Sequence, residues 1–196
     1  MSIQYDVIIV GAGAAGMMSA IEAGKRGRKV LLVDHYKKIG EKIRISGGGR
    51  CNFTNTNTNP SKFLSQNPKF VRSALSQYTQ NDFINLINKY EIKFHEKKLG
   101  QLFCDHSAQQ IVEMLLKECE LANVTVLKEF IIKSVEKDND QYLVLTETEK
   151  YSSESLVVAT GGLSVPKIGA TSFGYEIAKK FDHSIIETLP ALVPLT

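Results

Sequence analysis

The feature that most restricts what this chain can become is the run Val7-Ile8-Ile9-Val10, followed at once by Gly11-Ala12-Gly13-Ala14-Ala15-Gly16. Residues 5–10 are β-branched and apolar on both faces, as in a strand buried within a parallel sheet. The glycines stand at GxGxxG spacing, and 18 residues after Gly16 an acid, Asp34, ends a second buried run, Lys29-Val-Leu-Leu-Val33. The spacing alone is a weak signal. Set between a strand and a helix, with an acid closing the next strand, it predicts a β-α-β unit that binds a dinucleotide. Gly11 permits the tight turn, Gly13 leaves room for a pyrophosphate, and Gly16 lets a helix over 14–26 pack closely on the strand. Ala14 and Ala15 open that helix, so free amides and the positive end of its dipole face the diphosphate. Asp34, with His35 beside it, falls at the adenosine ribose hydroxyls. A carboxylate there repels a 2′-phosphate, which argues against an NADP-only site and leaves NAD and FAD.

The rest of the chain chooses between them. Residues 35–60 read as a long loop, followed by helices near 68–78 and 81–90. Residues 107–121 form an amphipathic helix with Ile111, Leu115 and Cys119 on one stripe, and a short strand follows at 124–126. Residues 129–159 read as three consecutive strands, a meander with a turn at Asp138-Asn139-Asp140. A domain for NAD alone alternates strands and helices without such an interruption. The meander ends in Leu156-Val-Val-Ala-Thr-Gly-Gly162, which brings Thr160, Gly161 and Gly162 to the same nucleotide as a second close backbone, with Ile132 at the meander's start. This combination resembles the glutathione-reductase-type FAD fold: an α/β, Rossmann-like parallel sheet with helices and an inserted three-stranded antiparallel meander. FAD is the implied cofactor, with NADH or NADPH as a possible electron donor.

The most specific segment is Gly40 to Asn55, GEKIRISGGGRCNFTN. Successive glycines are costly to order, and a close approach of backbone to ligand is the expected compensation. Ser46, Gly47 and Gly48 are therefore candidate cofactor contacts, with Lys42 and Arg50 as positive charges and Cys51 and Asn52 directly after them. This run resembles the SGGGRCNxTN signature of the bacterial NAD(P)/FAD-dependent oxidoreductase flavoproteins of the YhiN or BaiN-like group, also called aminoacetone-oxidase-like. GQLFCDHSAQQIVEML at 100–115 is similar to that family's GRxFPxSxxAxxVxxxL, and residues 190–195, PALVPL, match a further element. Cys104 replaces the family's proline. Residues 169–175, GATSFGY, lack the acid of the usual GSTGDGY, so no ligand contact is carried over to them and they read as the start of a helix. The resemblance implies an FAD-dependent oxidoreductase that passes a hydride between a nicotinamide or organic substrate and the flavin.

Composition fits an ordinary globular protein, 43% hydrophobic and 23% charged over 196 residues. Three scattered cysteines make neither a disulfide framework nor a zinc site, which points to reduced thiols and a cytoplasmic protein; the histidines lie in no ligand spacing, so no metal is expected. No apolar run is long enough to cross a bilayer. Of the charge, +3 overall, the first 51 residues carry nine Lys or Arg against four acids, which suits an anionic ligand at the glycine-rich end. Cys51 follows Arg50 and invites a reactive-thiol reading, but it has no neighbouring cysteine, and packing is the expected role. No catalytic residue is assigned. A nucleic-acid-modifying flavoprotein would explain the basic surplus, yet the bases interleave with the glycine loops and no aromatic-basic face is evident, so a small-molecule redox substrate is expected, with neither nucleic acid nor membrane as partner. A noncatalytic FAD-binding redox sensor is the other alternative. An NAD-only dehydrogenase lacks an identifiable acid-base residue.

Four buried parallel strands are countable, and the last residues are apolar. Members of the family that the chain resembles are about twice as long, and there PALVPL leads into a substrate-side domain before the chain returns to complete the FAD site. Residues 1–196 are therefore expected to be the N-terminal part of an FAD-binding domain, with that domain and the C-terminal FAD segment missing. Such a piece would hold the adenosine end of FAD and associate through its open sheet edge with the remainder of its own chain or with another copy.

Overall fold

A computed structural model describes residues 2–189; the PALVPL element lies outside the described residues. In chain order the elements are β1 (Ile3–Val10), α1 (Ala14–Lys25), β2 (Val30–Val33), α2 (Glu41–Ile45), β3 (Asn52–Asn55), α3 (Arg72–Gln77), α4 (Gln80–Lys89), β4 (Phe94–Glu96), β5 (Gln101–Cys104), α5 (Gln109–Leu121), β6 (Thr125–Leu127), β7 (Ser134–Asp138), β8 (Gln141–Leu145), β9 (Lys150–Val158) and α6 (Phe173–Lys180).

Six strands form the main sheet in the order β6-β2-β1-β9-β8-β7. The first four are mutually parallel, whereas β8 runs antiparallel to both β9 and β7. Both faces of the parallel part are buried, as continuous apolar runs require. Ile9, Val30 and Leu32 face a core shared with α1 and α5, while Ile8, Val10, Leu31 and Val33 face a second core with Phe130, Val144 and Ile177. Ile111, Leu115 and Cys119 of α5 are all buried in the first core, as their common stripe foretells.

The meander is shorter than the expected 129–159. Its third strand is β9 itself, the inner parallel partner of β1, and its first begins at Ser134. Residues 130–133 are a connection: Phe130 packs edge-on against Tyr151 at 5.1 Å between ring centroids, and its N–H donates to the Asp34 carbonyl at 3.0 Å. β9 also begins earlier than its apolar end suggests. Ser152 and Ser153 are buried, but β1 and β8 flank that part of the strand and pair its backbone, while the two hydroxyls donate to Ser2 Oγ and the Ser155 carbonyl.

A second, three-stranded antiparallel sheet, β3-β5-β4, occupies part of what the sequence presents as loop. It carries Phe53, which packs against Phe83 of α4 and edge-on against Phe94. α4 is tied to the main body by a buried carboxylate on α5. Glu118, 2% exposed, accepts from Lys89 Nζ at 2.6 Å and from the Tyr90 hydroxyl at 2.7 Å, with Lys25 Nζ of α1 at 3.3 Å. Burial alone would push its carboxyl up, but the hydrogen bonds from Lys89, Tyr90 and Lys25 hold it down at about 2.

Candidate functional site

The chain passes from β1 to β2 on one side and returns as β9 on the other, so a crevice opens where the carboxyl ends of β1 and β9 diverge, the usual ligand position in such sheets. Gly11 forms its floor. Its φ is +103°, and a Cβ there would stand 2.6 Å from the Ala159 carbonyl oxygen, so only glycine can follow β1 this close to the end of β9. Gly16 has a different constraint: its Cβ would meet the Gly11 carbonyl oxygen at 1.8 Å, which fixes how closely α1 lies over the turn.

Gly13 is different again. It is the N-cap of α1, it has no side chain to satisfy the orphan amides, and no acid stands in the first turn. A Cβ on Gly13 would meet nothing within 4 Å. The fold itself therefore does not require glycine here. What the position offers is an open cradle of free amides at a helix N-terminus, suited to an anion.

Asp34 borders this cradle. Its Oδ2 accepts the Ala12 N–H at 2.7 Å and its Oδ1 the Tyr36 N–H at 2.9 Å, while His35 Nδ1 is 3.6 Å away. The carboxylate thus fixes the glycine turn from below, and each oxygen keeps a lone pair for a hydroxyl donor. Thr160 and Gly161 close the other side. Lys42 of α2 reaches across to donate to the Gly162 carbonyl at 2.6 Å, joining α2 to the segment after β9.

Two recesses meet at Gly11, Asp34, His35, Thr160 and Gly169. One runs past Gly13, Ala14 and Ala15 toward Lys42, Ser46, Cys51 and Asn52 and is backed by Phe53 and Phe83. The other lies between Phe130, Ile131, Ile132 and Phe173 and is lined as well by Thr171, Ser172 and Glu176. Most of the predicted contacts therefore converge. Gly16 lies beneath the turn, while Gly47, Gly48, Arg50 and Gly162 line neither recess. The glycine run has a structural cause of its own: Gly47, Gly48 and Gly49 take φ of +58°, +67° and +84°, and a Cβ on Gly47 would meet the Phe103 ring at 2.7 Å. The run turns the chain out of α2 into β3.

Cys51 is a wall of the first recess and is buried; burial pushes its thiol pKa up, and the Ser46 hydrogen bond offsets only part of this. Its environment is that of a neutral thiol and not of an activated one. Sequence reading missed Phe53, Phe83 and Gly169. Gly169 belongs to the stretch that lacks the family's acid, yet it lines both recesses. Gly174, two residues into α6, was a readable signal: a Cβ there would stand 2.2 Å from Thr160 Oγ1, so this helix packs directly on the site. Among the described residues no His, Cys, Asp and Glu cluster could hold a metal, and no helix is long and apolar enough to cross a membrane.

A profile of the HI0933-like protein Rossmann domain matches residues 5–189. The chain belongs to this family. In Escherichia coli K12 a relative named ribosomal RNA dihydrouridine synthase is 53% identical over 98% of this chain and 48% of its own length. A protein of the same name in Haemophilus influenzae is 48% identical over 100% of this chain and 50% of its own length. The chain thus spans about half the length of the curated relatives it matches. Among solved structures, the halogenase PltM in complex with phloroglucinol and FAD is 17% identical with a TM-score of 0.51, covering 91% of this chain and 36% of that one. This likeness is one of fold, and with the family match it makes the architecture an FAD-binding Rossmann-type fold.

Proposed function

We propose that the crevice holds FAD and that the chain forms the nucleotide-binding part of a flavoenzyme that reduces uridine in ribosomal RNA. The single observation that carries the cofactor assignment is the open cradle at Gly13, where a helix N-terminus without cap or acid meets a carboxylate and a second glycine-containing turn. The diphosphate would lie on the amides of residues 13–15, the ribose on Asp34, and the adenine in the recess beside Phe130 and Ile132. The flavin end would then extend toward Lys42, Ser46, Cys51 and Asn52. Bound there, FAD supplies the hydride chemistry, with NADH or NADPH as the donor. The chain's own residues anchor and orient. Lys42 fixes the loop after β9, Phe53 and Phe83 keep the inner end of the groove dry, and the protonated Cys51 thiol leaves a neutral wall.

The substrate class rests on the 53% identity to a protein named for this reaction, which favours the nucleic-acid alternative over a small-molecule substrate. Two measurements test the reading. The purified chain should take up FAD, and the absorption band should bleach with NADH or NADPH under anaerobic conditions. Deleting the encoding gene should remove a dihydrouridine from ribosomal RNA, read by nucleoside mass spectrometry, and restoring it should bring the modification back. Failure to take up FAD would overturn the cofactor assignment; unaltered ribosomal RNA after deletion would overturn the substrate.

A further inference from the structure

Beyond Phe53, the segment that leaves the crevice through β3 lines neither recess, up to residue 81. From Cys51 to Asn81 the sequence contains no Asp or Glu, while Lys62, Lys69 and Arg72 are exposed. All ten residues 61–70 are exposed, and Phe63 and Phe70 leave 42% and 79% of their surface in water. Two aromatic and three basic side chains thus reach solvent within one short, acid-free segment.

Part of this surface is shaped. Asn55, Asn57, Asn59, Lys62, Phe63 and Leu99 line an open recess. Its rim is fixed by hydrogen bonds between two segments: the Thr56 N–H donates to the Gly100 carbonyl at 2.9 Å, and Asn55 Nδ2 donates to the Leu99 carbonyl at 3.0 Å. Exposed Lys97 and Lys98 stand next to Leu99. The nearby carboxylates are engaged, Glu96 by the Gly100 N–H and Asp82 by the Thr79 cap. β3 joins this recess to the crevice: Asn52 lines the crevice, and Asn55, at the other end of the strand, lines the recess.

We propose that this face holds a single-stranded stretch of RNA next to the nucleotide presented to the crevice, an assignment that rests on ribosomal RNA being the substrate. Phe63 and Phe70 offer stacking platforms, the asparagine amides can bond base edges, and Lys62, Lys69 and Arg72 meet phosphates. Unpaired RNA uses all three, whereas a duplex hides its base faces from aromatic side chains.

The test is fluorescence anisotropy of the 196-residue chain with a labelled, uridine-rich single strand of about 12 nucleotides and with a duplex of the same length. The single strand should bind more tightly. Phe63→Ala with Phe70→Ala should weaken it roughly fivefold or more per aromatic lost. Lys62→Ala with Lys69→Ala should flatten the dependence of log affinity on log salt by about 0.7 per charge removed. All four side chains are exposed, so melting temperatures should hold and report that the variants fold. Lys137→Ala with Lys150→Ala, on β7 and β9 of the main sheet and outside the recess, should change the affinity little. If the chain binds the single strand but the 62, 63, 69 and 70 variants bind it equally well, this face is not the RNA contact, and the proposed substrate is untouched. If deleting the gene leaves ribosomal RNA unaltered and the chain binds no RNA, both fall together. Loss of self-association in place of RNA binding in the aromatic variant would assign the face to a second copy and overturn the proposal.

Discussion

Gly13 and Gly16 stand three residues apart in one turn, yet the structure gives their substitutions opposite outcomes. At Gly13 a methyl group enters open space, and the backbone φ of −82° is accessible to any residue. Gly13→Ala removes some unfolded-state entropy, worth about 0.4–1 kcal/mol, and loses a similar amount because alanine is a poor N-cap. The flavin-free protein should therefore keep its stability to within about 1 kcal/mol. With cofactor the balance changes. The methyl fills the space that a phosphate needs to reach the helix amides, and loss of one or two hydrogen bonds to a charged group corresponds to about 2–3 kcal/mol, roughly 30- to 150-fold in affinity. Gly16→Ala is the contrast: a Cβ 1.8 Å from the Gly11 carbonyl oxygen forces α1 off the turn, so that variant should lose stability before any ligand is added. Thermal unfolding of the flavin-free proteins and titration with FAD separate the two effects. A Gly13→Ala protein that melts normally and binds FAD within about threefold of the parent would refute the cradle.

Three further outcomes follow from individual contacts. Asp34→Ala should weaken FAD binding by about 1.5–3 kcal/mol by titration, and because the carboxylate also holds the Ala12 and Tyr36 amides, some stability should be lost even without cofactor. Cys51→Ser should keep NAD(P)H-driven flavin reduction within about tenfold, since a buried neutral thiol packs and does not react; near-complete loss with retained flavin would show otherwise. Glu118, held down at about 2 from an ordinary value of 4.5, contributes stability that is present above pH 4.5 and is lost as pH falls toward 2. Glu118→Gln should therefore remove part of the acid dependence over that window and cost about 1–3 kcal/mol in denaturant unfolding at neutral pH, less than for a fully buried pair because Lys25 and Lys89 are half exposed.

What was legible in the sequence is what a short stretch of chain determines by itself. The β1 turn, α1, Asp34 and the stripe of α5 depend on spacing within a few residues, and the structure has each of them where the spacing puts it. The second sheet was not legible: β3 and β5 are four residues each, NFTN and QLFC, and form because antiparallel pairing and the Phe53-Phe94 contact favour them, not because of local propensity. The buried serines of β9 hid half of a central strand, since their backbone is paired on both sides and their hydroxyls find acceptors. Conversely, residues 129–133 look like a strand, but they belong to no strand of either sheet: Phe130 is buried, Ile132 is half-buried against the same core, and Ile131 is 56% exposed. The triple glycine pointed to a ligand, and the structure adds a second use that spacing did not reveal: its left-handed backbone serves the turn into β3.

The central claim, that the crevice grips the adenosine diphosphate half of FAD, is tested most directly by titrating the flavin-free chain with FAD and, in parallel, with FMN, which has the same ring and lacks the adenosine. One saturable FAD site per chain is expected, and affinity for FMN weaker by roughly tenfold or more, because Asp34 and the Phe130 recess then have nothing to hold and the glycine turn one phosphate in place of two. Equal affinity for the two flavins, or no saturable binding of FAD, would contradict it.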